Sequence, residues 1–190
     1  MFSKELNKKL DKYHLLNHPF YKSWNDGKLT REIIKDYAEQ YYQHVKAFPR
    51  YISATHSLCE DIEKRKILLE NLQDEENQEK DHPKLWRNFA AAMGAKKQEI
   101  NSVKKEKFTK ELIDNFFKNG RASYAEGLEF FEVHKKADIY HRAACEKLLD
   151  GLSKEEQIKA EKSALSTAKY LWNFLTGMSI KHNIPSHIAA

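Results

Sequence analysis

Residues that break helices are so sparse in this sequence that long helices are the regular structure it can build. Six glycines and four prolines are spread over 190 residues, too few turn formers for a protein of strands and hairpins. Between them apolar residues recur at helical intervals, and charged residues, 32% of the chain, fill the remaining positions. That is the pattern of helices with one buried face. The length suits one domain with a substantial core. An all-α bundle follows, with a single domain over residues 1–190.

The composition also excludes several functions. The net charge of +5 comes from acidic and basic residues mixed along the chain, not from the concentrated basic stripe of a nucleic-acid binder. Cys59 and Cys145 stand alone with no CxxC spacing, which argues for two buried reduced thiols rather than a zinc knuckle or redox pair. The first residues, MFSKELNKKLDKYHLL, lack the apolar stretch of a secretion signal, and no apolar run approaches the roughly 18 residues that span a bilayer. A cytoplasmic protein that binds neither nucleic acid nor membrane is expected.

Local signals divide the chain. Residues 3 to 14 suit a short amphipathic helix, and Asn25-Asp26-Gly27 marks a turn. Thr30 is a natural N-cap for a helix carrying Pro49, which should kink that helix rather than end it, because apolar spacing resumes beyond it. Residues 62 to 76 form the next helix. Another begins near Pro83, with Asp81 at its cap, and stops at Gly94. Residues 95 to 107 read as a solvated lysine-rich connector, 108 to 126 as one helix, and 128 to 149 as another. Ser153 with Glu156 makes a capping box for a last helix reaching about Lys181.

The chemistry concentrates in two segments. In FFEVHKKADIYH, His134, Asp138 and His141 stand at i, i+4 and i+7, within about 60° of one another on a helix. Two imidazoles and a carboxylate on one stripe, beside Phe130, Phe131 and Ile139, form a ligand set for a first-row metal with coordination positions left open. Upstream, Glu75 and His82 are seven residues apart and would share a face on an unbroken helix. Pro83 pushes its predecessor out of the helical region, so a break near residues 77 to 82 is expected, with the two groups converging across it. Carboxylates and imidazoles from separate helices are how four-helix bundles build metal sites.

The runs HPFYKSW, YYQHVKAFPRYISATHS, LLENLQDEEN-x4-HPKLW and FFEVHKKADIYH resemble the heme-oxygenase-like di-metal oxidases. More narrowly, they are similar to the branch containing the chlamydial protein associating with death domains, related in fold to PqqC and TenA. The resemblance covers residues 10 to 180 and implies a heme-oxygenase-like bundle of about seven helices. It also implies a site of two metal ions, Fe/Fe or Fe/Mn, that uses O2 as co-substrate. The ligands it implies are Glu75, His82, His134, Asp138 and His141. The implied product is para-aminobenzoate for folate synthesis, made from a tyrosine of the protein itself, and the H-x-F-Y tyrosine matches Tyr21. Tyr41, Tyr42, Phe48 and Tyr51 recur at helical spacing and read most simply as core; Tyr41 and Tyr42 are also candidates for a second aromatic relay. A homodimer fits bundles of this class, and the relative's name points to a protein partner through death-domain association.

One departure is specific. SYAEGL runs directly into EFFEVH, where the resemblance implies a further segment carrying a sixth ligand, a glutamate, and a lysine tied to amine transfer. Either that segment is deleted between Leu128 and Glu129, leaving a five-ligand or single-metal site, or the sequence closes over it. No local carboxylate lies on the ligand stripe: on a continuous helix Glu132, Glu129 and Glu126 lie about 160°, 140° and 80° from His134, and Glu126 could substitute only if the chain turns between 126 and 129. Two other function classes stand beside the oxidase. A TenA-like hydrolase needs a cysteine nucleophile, and neither Cys59 nor Cys145 sits in such a motif. A non-catalytic helical interaction protein needs no metal. His44 and His56 read as buried, hydrogen-bonded imidazoles, and Trp24, Trp86 and Trp172 as packing.

Overall fold

The computed structural model describes residues 1–77, 81–128 and 146–185, and within them the backbone is helical or connecting, with no strand. α1 (Phe2–Leu10) leads through two 3₁₀ turns to α2 (Pro19–Asn25) and then α3 (Arg31–Ser57). α4 (Ile62–Glu75), α5 (His82–Ala92), α6 (Lys107–Ala122) and α7 (Tyr124–Gly127) follow, and α8 (Lys154–Lys181) ends the bundle. Residues 146–150 are also helical.

α3 is the axis of the bundle, packing on α4, α5, α6 and α7, while α8 covers α6 and α7. It places Tyr37, Tyr51 and Ile52 at 1% exposure and Phe48 at 4%. Pro49 lies inside this helix, which runs on to Ser57. A proline in a helix interior costs about 3 kcal/mol. The burial of Phe48 and Ile52 on either side contributes about 1.5–3 kcal/mol each, so packing outweighs the lost hydrogen bond and the helix does not end.

The capping signals are used as the sequence implies. Thr30 accepts from the Ile33 N–H, Asp81 from that of Lys84, and Ser153 with Glu156 forms the reciprocal capping box. Gly94, beyond α5, has φ +104°, a left-handed conformation that favours glycine at a helix end.

The HPFYKSW segment, for which no element was expected, forms a helix, α2, that ends at the Asn25-Asp26-Gly27 turn. Two local expectations are corrected. The lysine-rich connector is clasped to α3 rather than merely solvated. Gln40 donates to the Lys104 carbonyl and accepts from the Glu106 N–H and the Thr109 hydroxyl, and Gln43 donates to the Ile100 carbonyl. The side-chain amides satisfy backbone groups that a bare lysine pattern does not reveal. The helix expected over 108 to 126 breaks at Ser123, whose extended backbone and hydroxyl cap α7. The break brings Gly127 against α3 so closely that a Cβ there would lie 2.2 Å from Thr55 Oγ1.

Candidate functional site

A cavity of about 470 Å³ opens where α2, α3, α4 and α5 meet. Its lining follows from helical spacing. On α3, residues 37, 41, 44 and 48 fall on one face and contribute Tyr37, Tyr41, His44 and Phe48; α2 adds Tyr21 and Trp24. α5 supplies Leu85, Trp86 and Phe89, and the α4–α5 junction supplies Glu75 and His82. Trp86 is pinned from behind, its indole N–H donating to the Ala38 carbonyl at 2.8 Å. The wall is therefore aromatic and rigid, with a few convergent polar groups, the usual make-up of a ligand site.

Two polar features stand on this wall. The first is a pair of phenols: the Tyr21 and Tyr37 hydroxyls are 2.7 Å apart. Burial raises the Tyr21 phenol above its ordinary value, with the Tyr37 hydrogen bond opposing. Tyr37 is held well above it by burial and then by its Tyr21 and Tyr41 neighbours, and burial likewise pushes Tyr41 far up. All three are neutral phenols near neutral pH. Their rings are stacked into the wall: Trp24 lies nearly parallel to Tyr21 at 6.0 Å and to Phe89 at 6.2 Å, and Tyr41 to Tyr37 at 5.6 Å.

The second feature is the Glu75–His82 pair. α4 ends at Glu75 and α5 starts at His82, the break that Pro83 implied. The two groups meet across it, His82 Nδ1 lying 2.7 Å from Glu75 Oε2. Glu75 is buried, while the His82 side chain keeps 42% exposure. The Glu75 hydrogen bond raises the His82 pKa, and burial works against it.

Of the site residues read from sequence, Tyr21, Glu75 and His82 therefore share one cavity. His134, Asp138 and His141 lie outside the described residues, as does Cys145. Among the described residues no three His, Cys, Asp or Glu side chains come together. A carboxylate and an imidazole in contact on this aromatic wall are donors of the kind an iron- or manganese-type ion takes. They would supply two of its ligands.

Other readings change. Tyr42 does not face the cavity: it points the other way along α3 and donates to Asn101 Oδ1 at 2.9 Å. Only Tyr41 of the suggested relay lines the wall. Tyr37 is the site residue that sequence reading missed, although its place four residues before Tyr41 and seven before His44 was the available signal. His44 is buried, 3.5 Å from the Tyr51 hydroxyl, and also lines the cavity. His56 is half-buried near the end of α3 rather than buried, and burial and the Arg65 charge lower its pKa. Glu126 accepts from the Ser123 hydroxyl at 2.7 Å, so it serves the α7 cap. Cys59 is buried and free. Among the described residues no helix is long and apolar enough to cross a membrane.

The fold is a helical bundle around an aromatic cavity, with an acid and an imidazole converging on its wall. The chain belongs to the TENA/THI-4/PQQC family, whose model matches residues 4–130. It is 31% identical to a 4-aminobenzoate synthase of Chlamydia muridarum, across 92% of this chain and 88% of the relative. It is 34% identical to a 4-aminobenzoate synthase of Nitrosomonas europaea, across 93% and 90%. A Shewanella denitrificans domain with a heme oxygenase-like fold superposes with a TM-score of 0.73 at 15% identity, over 95% of this chain and 91% of that one. The heme-oxygenase-like fold implied by the motifs is thus the fold observed. The alignment to the Chlamydia relative runs over 208 positions against 190 residues here, so that relative carries residues this chain lacks.

Proposed function

We propose that this chain is an oxygen-using metalloenzyme that forms 4-aminobenzoate, with the ring supplied by its own Tyr21 and the nitrogen by an amine donor that replaces the phenol oxygen. The observation that carries the reading is the placing of the Tyr21 phenol and the Glu75–His82 pair on one cavity wall, in a chain whose relatives are named 4-aminobenzoate synthase. Glu75 and His82, with His134, Asp138 and His141, would hold two metal ions, Fe/Fe or Fe/Mn. When bound, these supply activation of O2 and the oxidising power the conversion needs.

The chain's own residues do the rest. Tyr37 keeps the Tyr21 hydroxyl in a fixed direction through their 2.7 Å hydrogen bond. Trp24, stacked on the Tyr21 ring, restricts its rotation. The aromatic wall of Tyr41, Phe48, Trp86 and Phe89 keeps the cavity poor in water, which strengthens the polar interactions that remain. Burial holds the phenols protonated, so Tyr21 enters the reaction as a neutral phenol.

The test is product released per chain from iron- and manganese-supplemented protein, beside Tyr21→Phe and a Glu75→Ala, His82→Ala double variant. Metal content is measured in all three. The reading requires product from the parent alone, with metal kept in Tyr21→Phe and reduced in the double variant. Undiminished product from Tyr21→Phe would rule out this tyrosine as the source.

A further inference from the structure

Tyr21 sits on a helix too short to hold itself. α2 has seven residues, and isolated helices below about 12–15 residues are marginal in water. Its position depends on how its ends are tied. The capped helices elsewhere use the residue types that dominate N-caps: Thr30, Asp61, Asp81, Ser123 and Ser153. Among the described helices only α2 is capped by a histidine, His18, whose Nδ1 accepts from the Phe20 N–H at 3.0 Å.

An imidazole has a second nitrogen, and here it is engaged. His18 Nε2 lies 3.1 Å from Thr176 Oγ1 on α8. The Thr176 hydroxyl donates to the Trp172 carbonyl at 3.1 Å, so its oxygen is left to accept. Nε2 therefore carries the proton and Nδ1 the lone pair, and one tautomer satisfies both contacts. His18 is 2% exposed, and its ring meets the Trp172 indole edge-on at 4.6 Å. A serine or aspartate could cap α2, but neither has this donor to send to α8.

We propose that His18 is a positioning residue for Tyr21. It ties the first turn of α2 to α8 at a fixed height and so sets the 2.7 Å contact between the Tyr21 and Tyr37 hydroxyls. This rests on the reading of Tyr21 as the reacting side chain, but the positioning itself can be tested without turnover.

The experiment is NMR of protein carrying ¹³Cζ-labelled tyrosine, a carbon whose shift reports hydrogen bonding at the phenol. Tyr21→Phe and Tyr37→Phe assign the two resonances. In His18→Ala and Thr176→Val both resonances move and broaden, and product per chain falls about tenfold or more, as displacement of a reacting group requires. His18→Asn restores the cap without the tie and recovers only part of the parent spectrum. Ser153→Ala removes a helix cap elsewhere and leaves both resonances in place. If His18→Ala does not fold, Thr176→Val decides, since it keeps the side chain's shape and removes only the hydroxyl that accepts from His18 and donates to the Trp172 carbonyl. Unmoved resonances in folded Thr176→Val protein would overturn the proposal. Moved resonances with no product from the parent would support the positioning and reject the proposed function instead.

Discussion

Acid should destabilise this protein through His18 in a defined window. Burial pushes the His18 pKa from the ordinary 6.5 down to about 4. The groups packed on it, Trp172 and Thr176 from α8 and Phe20 from α2, carry no charge, so loss of hydration sets the direction. Between pH 6.5 and about 4 the unfolded chain binds a proton there that the folded chain refuses. Stability is therefore complete above 6.5 and falls with pH towards about 4. A tenfold change in proton affinity is about 1.4 kcal/mol, which puts the ceiling near 3 kcal/mol. Screening by nearby water and relaxation of the ring reduce this to about 1–2 kcal/mol. Urea unfolding of the parent and of His18→Asn at pH 7.5 and pH 4.5 measures it, because the other histidines titrate in both proteins and cancel. The parent should lose about 1–2 kcal/mol more than the variant across that interval. Equal losses would refute the reasoning and mean that His18 is protonated in the folded protein.

Other perturbations have outcomes set by single contacts. Tyr37→Phe removes the hydrogen bond that lowers the Tyr21 phenol, so the Tyr21 titration followed by ultraviolet absorbance moves further up, and stability falls by about 0.5–1.5 kcal/mol. Gly177→Ala places a Cβ 2.2 Å from the Phe108 ring; a loss of about 1–3 kcal/mol in thermal or urea unfolding is expected, and no loss would mean that the ring moves freely. Gln40→Leu orphans the Lys104 carbonyl and the Glu106 N–H, at about 1–3 kcal/mol for each group left buried. Hydrogen exchange should then accelerate in residues 100–106 before the rest of the bundle opens.

The helical architecture was legible because apolar periodicity and caps agreed. Thr30, Asp81 and Ser153 are local signals, and each caps the helix it was assigned to. The Glu75–His82 convergence was legible for the same reason, since Pro83 dictates a break and the spacing dictates a shared side. Long-range polar satisfaction was not. The connector's lysines gave no hint that Gln40, 64 residues from Lys104, would clasp it. Nor could the place of Tyr37 be read from Tyr21, because their contact joins two helices and depends on how α2 is seated. Of the two relay candidates only Tyr41 faces the cavity, because adjacent residues on a helix point about 100° apart and only the packing of α5 decides which one does. The His134-Asp138-His141 stripe carried much of the reading from sequence and lies outside the described residues.

The claim that the protein spends its own tyrosine is tested most directly by following the atoms. Protein grown with ring-¹³C tyrosine would be purified, loaded with iron and manganese, and given O2 and a reductant in unlabelled buffer. Released 4-aminobenzoate and the tryptic peptide containing Tyr21 would both be weighed. The account predicts labelled 4-aminobenzoate, no more than one per chain, and a Tyr21 peptide that loses mass in step with it. Unlabelled product, or product that accumulates while the Tyr21 peptide stays intact, would contradict it.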